Sequence, residues 1–132
     1  MDNDQVTYFS PIPVEECRSL LRSVEFGRIA WNDDSGVMVL PVNFQVLDGA
    51  VVFHTAPGAP LAKIADGTSV AFQVDEIDPE SVIGWSVVLR GTTRRAPEGT
   101  LPVSWMIDER PLGIMIDETS LTGRVISGTK RG

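Results

Sequence analysis

The sequence predicts a small, mainly β protein: six or seven antiparallel strands forming a closed or nearly closed barrel, with two short helices. Three observations carry this. Apolar side chains recur with a period of two through residues 37–47, 69–76 and 82–95. Turn chemistry separates the runs: Asp33–Gly36, Asp48–Gly49 and Asp78–Pro79. Only two stretches, near residues 14–24 and 60–65, read as helix. A chain of 132 residues reads as one domain over 1–132, with 1–6 and 128–132 expected to be flexible.

Residues 7–13 form a lead-in containing Pro11 and Pro13. Val14, Cys17, Leu20, Leu21 and Val24 then fall on one helical stripe. Pro13 suits the first turn, and Glu15 and Glu16 suit the positive end of the helix dipole. This helix is expected to cover one end or face of the barrel. Strands follow at 27–32 and 37–47. In the second, Met38, Leu40, Val42, Phe44 and Val46 make an apolar face, and Val37, Val39, Pro41, Asn43 and Gln45 turn polar midway. Pro41 has no N–H to give to a ladder, so it marks a bulge or an edge position.

Ala50–Thr55 is the next strand, with His54 and Thr55 on opposite faces. A loop at 56–59 leads into a short helix at 60–65, stopped by Asp66–Gly67. Val70, Phe72 and Val74 mark one face of strand 69–76, and Trp85, Val87 and Leu89 one face of strand 82–95. Residues 96–111 are irregular and carry Trp105. Two strands at 112–116 and 121–127 close the set.

Composition excludes several classes. Hydrophobic residues make up 42% and charged residues 22%, a globular balance. The net charge of −7 and the absence of a basic cluster argue against nucleic acid as a partner. No apolar run is long enough for a spanning helix, so no membrane partner is expected. The acidic opening MDNDQ is unlike a secretory signal, which makes the cytoplasm the expected compartment. The single Cys17 allows no intrachain disulfide and reads as a buried small residue. One histidine and no CxxC pair leave no expected metal site. No GxSxG, GxxxxGK[ST] or GxGxxG is present. Chemistry carried by a cofactor is compatible with so sparse a set.

Residues 52–64 carry the sharpest local signal. A strand ends at His54–Thr55, Gly58 turns the chain, and a helix starts at Pro60 with Lys63 one turn in. Free amides at a helix start suit a phosphate, and Lys63 would add charge. The same residues also describe a simple crossover with a surface lysine. His54 reads either as a packed residue or as a proton donor near neutral pH. Trp85 reads as core, and Trp105 as a pocket lid or subunit contact.

The ordered set GRIAW at Gly27, LPVNF at Leu40, VFHTAPG at Val52, VAFQVDEID at Val70, GWSVVLRG at Gly84 and LTGRVI at Leu121 resembles the pyridoxamine 5'-phosphate oxidase-like family, the FMN-binding split barrels. HTAPG is similar to the nitroimidazole-resistance (nitroreductase-like) branch. The resemblance implies a split barrel and a homodimer holding FMN in clefts between its subunits. It implies that Pro41, Val42, Asn43 and Phe44 lie against the flavin ring, that Thr55, Leu61 and Lys63 reach the phosphate, and that Trp85 and Ser86 flank the site. Branch members often place a lysine two residues after the loop glycine, where this chain has Pro60. Lys63 would substitute from the next turn. Relatives that use the deazaflavin coenzyme or haem keep the cofactor open.

The expected function is an FMN-dependent oxidoreductase acting on a small organic substrate, with His54 as a catalytic candidate and Trp105 as a substrate contact. The alternatives are a non-catalytic flavin or small-molecule binding protein, a deazaflavin-dependent reductase, and a barrel that has lost its ligand.

Overall fold

A computed structural model describes residues 8–97, 100 and 111–128. Its strands are β1 (Tyr8–Pro11), β2 (Phe26–Asp33), β3 (Gly36–Leu47), β4 (Ala50–Thr55), β5 (Ser69–Asp78), β6 (Ile83–Arg95) and β7 (Leu112–Ser127). One α-helix, α1 (Val14–Arg22), and a 3-10 helix, Pro60–Ile64, complete the described set. The sheet order is β1-β7-β4-β3-β2-β5-β6, and β6 also pairs with β7. That last pairing closes a ring of antiparallel strands, with β1 added along the outer edge of β7. A closed ring leaves few unpaired edges, which explains why short strands suffice.

Three local expectations change in the structure. The two closing strands are one 16-residue strand, β7, whose register against β6 shifts between Arg90 and Gly91. The bulge absorbs the polar Asp117–Ser120 stretch that reads as a break in sequence. The lead-in contributes a short strand, because Tyr8–Pro11 finds the free flank of β7. The second helix is a 3-10 turn, entered through Pro60. Pro41 is an edge residue and not a bulge. β3 pairs with β2 through residues 36–43 and with β4 only from Phe44 onward, so Pro41 borders the gap where the wall splits.

The turns follow their sequence. Asp48 and Gly49 both take positive φ (50° and 83°), the conformation of a two-residue hairpin turn. At the other hairpin, the Ser35 N–H donates to Asp33 Oδ1 at 2.6 Å. Val82 sits at φ 57°, a strained value for a β-branched residue. It is held there by its N–H bond to the Asp78 carbonyl and by the Gly128 N–H bond to its own carbonyl, both 2.9 Å.

Side-chain alternation sorts each strand into an inner and an outer face. One inner row runs through Leu40, Ile29, Phe72, Leu89 and Leu121, directly opposite one another across five strands. Phe72 meets Phe44 edge to face, with ring centroids 4.8 Å apart. Helix α1 closes one end by burying Cys17 and Leu21. Gly123 permits the approach, since a Cβ there would stand 2.6 Å from the Cys17 sulfur. Burial raises the Cys17 thiol pKa, with Glu16 adding to the effect. The 3-10 helix closes the other end by burying Leu61 and Ile64.

Candidate functional site

The outer wall formed by β3, β2, β5, β6 and β7 differs from the core one residue away. Its rows are also fixed by register. One runs Val39, Ala30, Ala71, Arg90, Ser120. The next runs Pro41, Arg28, Gln73, Val88, Thr122. Asn43 stands opposite Phe26 one step further, and Ser86 lies between Asp75 and Arg124 at the same level. At about 4.8 Å between strands, five strands span about 19 Å, enough for a fused ring system.

Two adjoining clefts open on this half of the wall. One of about 220 Å³ is lined by Phe26, Arg28, Pro41 and Asp75. Another of about 340 Å³ is lined by Phe9, Gln73, Ser86, Thr122 and Arg124. The cations are only lightly engaged. Arg28 approaches Asp75 at 3.8 Å with more than half of its side chain in solvent, a geometry that contributes little. Arg124 lies 5.5 Å above the Phe9 ring. Gln73 donates to the Ser86 hydroxyl oxygen at 3.0 Å, which leaves the Ser86 proton to donate elsewhere. The Asn43 amide nitrogen donates to the Glu25 carbonyl at 2.8 Å. Its buried carbonyl oxygen has no partner among the described residues. An unmet buried acceptor costs about 1–3 kcal/mol.

The residues singled out from sequence divide between the two faces. Pro41 and Asn43 are on the outer face of β3, and Ser86 is on the outer face of β6. Val42, Phe44 and Thr55 are buried inside the barrel, and Trp85 is half-buried on the inner face beside α1. Leu61 is buried as part of the plug, and Lys63, on the same turn, is exposed. The crossover therefore offers Lys63 and loop backbone to solvent, and not the side chains of Thr55 or Leu61. Trp105 lies outside the described residues.

His54 is on the outer face of β4, opposite Gly113. A Cβ on Gly113 would stand 3.0 Å from His54 Nε2, so the glycine makes room for the ring. Nε2 is 3.2 Å from the Thr100 carbonyl, which calls for the tautomer that donates from Nε2. Burial holds its pKa below 6.5, against the opposing pull of the Thr100 bond. Among the described residues there is no group of His, Cys, Asp and Glu that could hold a metal, and no helix long and apolar enough to cross a membrane.

Sequence reasoning missed Arg28, Gln73 and Arg124. Their strand positions were readable, but their convergence was not, because it depends on pairing between distant segments.

Known proteins share this fold. Residues 13–104 match the family model described as pyridoxamine 5'-phosphate oxidase. The FAD binding protein of Mycobacterium smegmatis superposes with a TM-score of 0.73 at 32% identity, over 89% of this chain and 98% of that one. A candidate pyridoxamine 5'-phosphate oxidase of Corynebacterium glutamicum gives 0.75 at 27% identity, over 96% of both chains. An uncharacterised protein of Mycobacterium tuberculosis is 37% identical over 82 residues, 58% of this chain. The match spans about half, 54%, of that curated relative's length. The barrel is thus the split barrel of those neighbours, and the chain belongs to the pyridoxamine 5'-phosphate oxidase-like family.

Proposed function

We propose that this protein binds a flavin nucleotide on the outer wall and uses it for redox chemistry on a small organic substrate. The observation that carries the reading is the grouping of Ser86, Gln73 and two lightly held arginines around adjoining clefts, with Asn43 on the same outer face. A flavin offers an imide N–H donor, carbonyl acceptors and a phosphate, which match an amide oxygen, a hydroxyl and guanidinium groups. When bound, it supplies hydride or electron transfer that no side chain here supplies. Asn43, Ser86 and Gln73 would orient the ring edge, and Arg28, Arg124 or Lys63 would take the phosphate. FMN is our first assignment, with the deazaflavin coenzyme as the alternative. The FAD bound by the M. smegmatis relative supports a flavin and extends the choice to a dinucleotide.

We further infer that two copies pair over this wall. Val37, Val39 and Phe26 are 72%, 56% and 44% exposed, an apolar strip beside the clefts. Light scattering should return a dimer mass, and Val39→Asp should shift it toward monomer. A monomeric parent protein would remove this part of the reading.

The decisive experiment is the absorption spectrum of the purified protein, with mass spectrometry of what it releases. A flavin spectrum that nicotinamide donors or reduced deazaflavin bleach supports an oxidoreductase. Colourless protein that takes up neither FMN, FAD nor deazaflavin overturns the reading. One observation favours a non-catalytic carrier as a second reading: His54, the chain's single histidine, is closed in beside Thr100 and offers no open proton donor. Bound flavin that none of these donors reduces would select it.

A further inference from the structure

A further cleft of about 460 Å³ lies on the outer wall, at the end away from Asn43 and Ser86. Its floor includes Ala30 and Ala71, adjacent in register, and its walls include Val37. Arg90 enters beside them, with Thr92 as a neighbouring hydroxyl. Among the described residues no acidic side chain lines it.

Arg90 stands apart from the acidic side chains around it. The carboxylates nearest in register, Asp117 and Glu118 on β7, are held by other arginines: Arg94 at 2.8 Å and Arg18 at 2.9 Å. No ion pair of Arg90 itself occurs among the described residues. The register shift of β6 against β7 falls at Arg90/Gly91 and leaves Thr119 as the extra residue. Thr119 anchors that spot by donating its hydroxyl to the Arg90 carbonyl at 3.0 Å. Gly91 is required there, since any Cβ would collide with the Asp117 carbonyl oxygen. A bulge of this kind re-aims side chains and recurs beside binding sites. Here it accompanies an unpaired guanidinium above a floor of small side chains.

We propose that this cleft binds the carboxylate of a planar aromatic acid, with Arg90 as the anion partner and the Ala30–Ala71 floor against the ring. The guanidinium fork matches a carboxylate's two oxygens. A single cation suits a monoanion better than a doubly charged phosphate. The small side chains of Ala30 and Ala71 leave space for a flat ring to lie against the strands. The site requires no flavin, and its described lining shares only Val37 with the strip over which two copies would pair.

The test uses the purified protein as it comes, with benzoate, its neutral isostere benzamide and inorganic phosphate as probes, titrated by calorimetry. We expect benzoate to bind, and benzamide and phosphate to bind at least about tenfold more weakly. Arg90→Gln should weaken benzoate by at least about tenfold while flavin affinity stays unchanged. Ala71→Leu should abolish benzoate binding by filling the floor. The proposal is overturned if benzoate does not bind, if benzamide or phosphate binds as well, or if Arg90→Gln and Ala71→Leu leave benzoate affinity intact. Loss of flavin binding with retained benzoate binding would overturn only the flavin reading.

Discussion

Two rows of residues share the same five strands and differ by one position. Leu40, Ile29, Phe72, Leu89 and Leu121 face inward, and four of the five are less than a tenth exposed. Val39, Ala30, Ala71, Arg90 and Ser120 face outward and leave a cleft above the alanines. The inner row fills space, whereas the outer row keeps it open. The backbone is common to both, so the contrast comes from side-chain volume and charge alone. Stability is concentrated on one face of each strand, and the other face is left for a ligand or a second copy.

That contrast can be broken at its strongest point first. Phe72→Ala should destabilise the fold by about 3–5 kcal/mol, because it removes a fully buried ring and its edge contact with Phe44. Chemical denaturation measures this, and a loss below about 1 kcal/mol would mean that the inner row is not the packed one. Gly91→Ala probes the bulge joining the faces. Its new methyl must displace the Asp117 carbonyl, so a loss of about 1–3 kcal/mol is expected by the same assay. Asn43→Leu sharpens the outer face: flavin affinity should fall about tenfold with stability kept within about 1 kcal/mol. A stability loss without an affinity loss would reassign Asn43 to structure.

The smallest effect concerns His54, on neither row. Its folded pKa lies below 6.5, so the unfolded chain takes up its proton first on acidification. The stabilisation from neutral His54 is therefore complete above about pH 6.5 and is lost as pH falls through the lower folded value. The slope is at most about 1.4 kcal/mol per pH unit for one group. Denaturation midpoints at several pH values should show this step, and His54→Gln should remove it.

Much of the inner face was legible in the sequence. Met38, Leu40, Val42, Phe44 and Val46 announce it through period-two spacing, and the Asp48–Gly49 turn follows from residues that accept positive φ. The site was legible only in pieces. Asn43, Pro41 and Ser86 were singled out and do face outward, whereas Thr55 and Leu61 are buried. A loop followed by a 3-10 turn has no simple periodicity from which to read side-chain direction. Arg28, Arg90 and Arg124 appear in sequence as unrelated surface charges.

The sequence by itself determined which residues on each strand share a face, because alternation is a property of a single extended backbone. Only the tertiary structure decided which of those faces meet. The pairing of β2 with β5 and of β5 with β6 brings positions 30, 71 and 90 around one cleft, and ring closure of β6 on β7 adds Thr119 at the bulge. Register between strands separated by dozens of residues is fixed by the shear of the closed barrel, a quantity that no local stretch of chain contains.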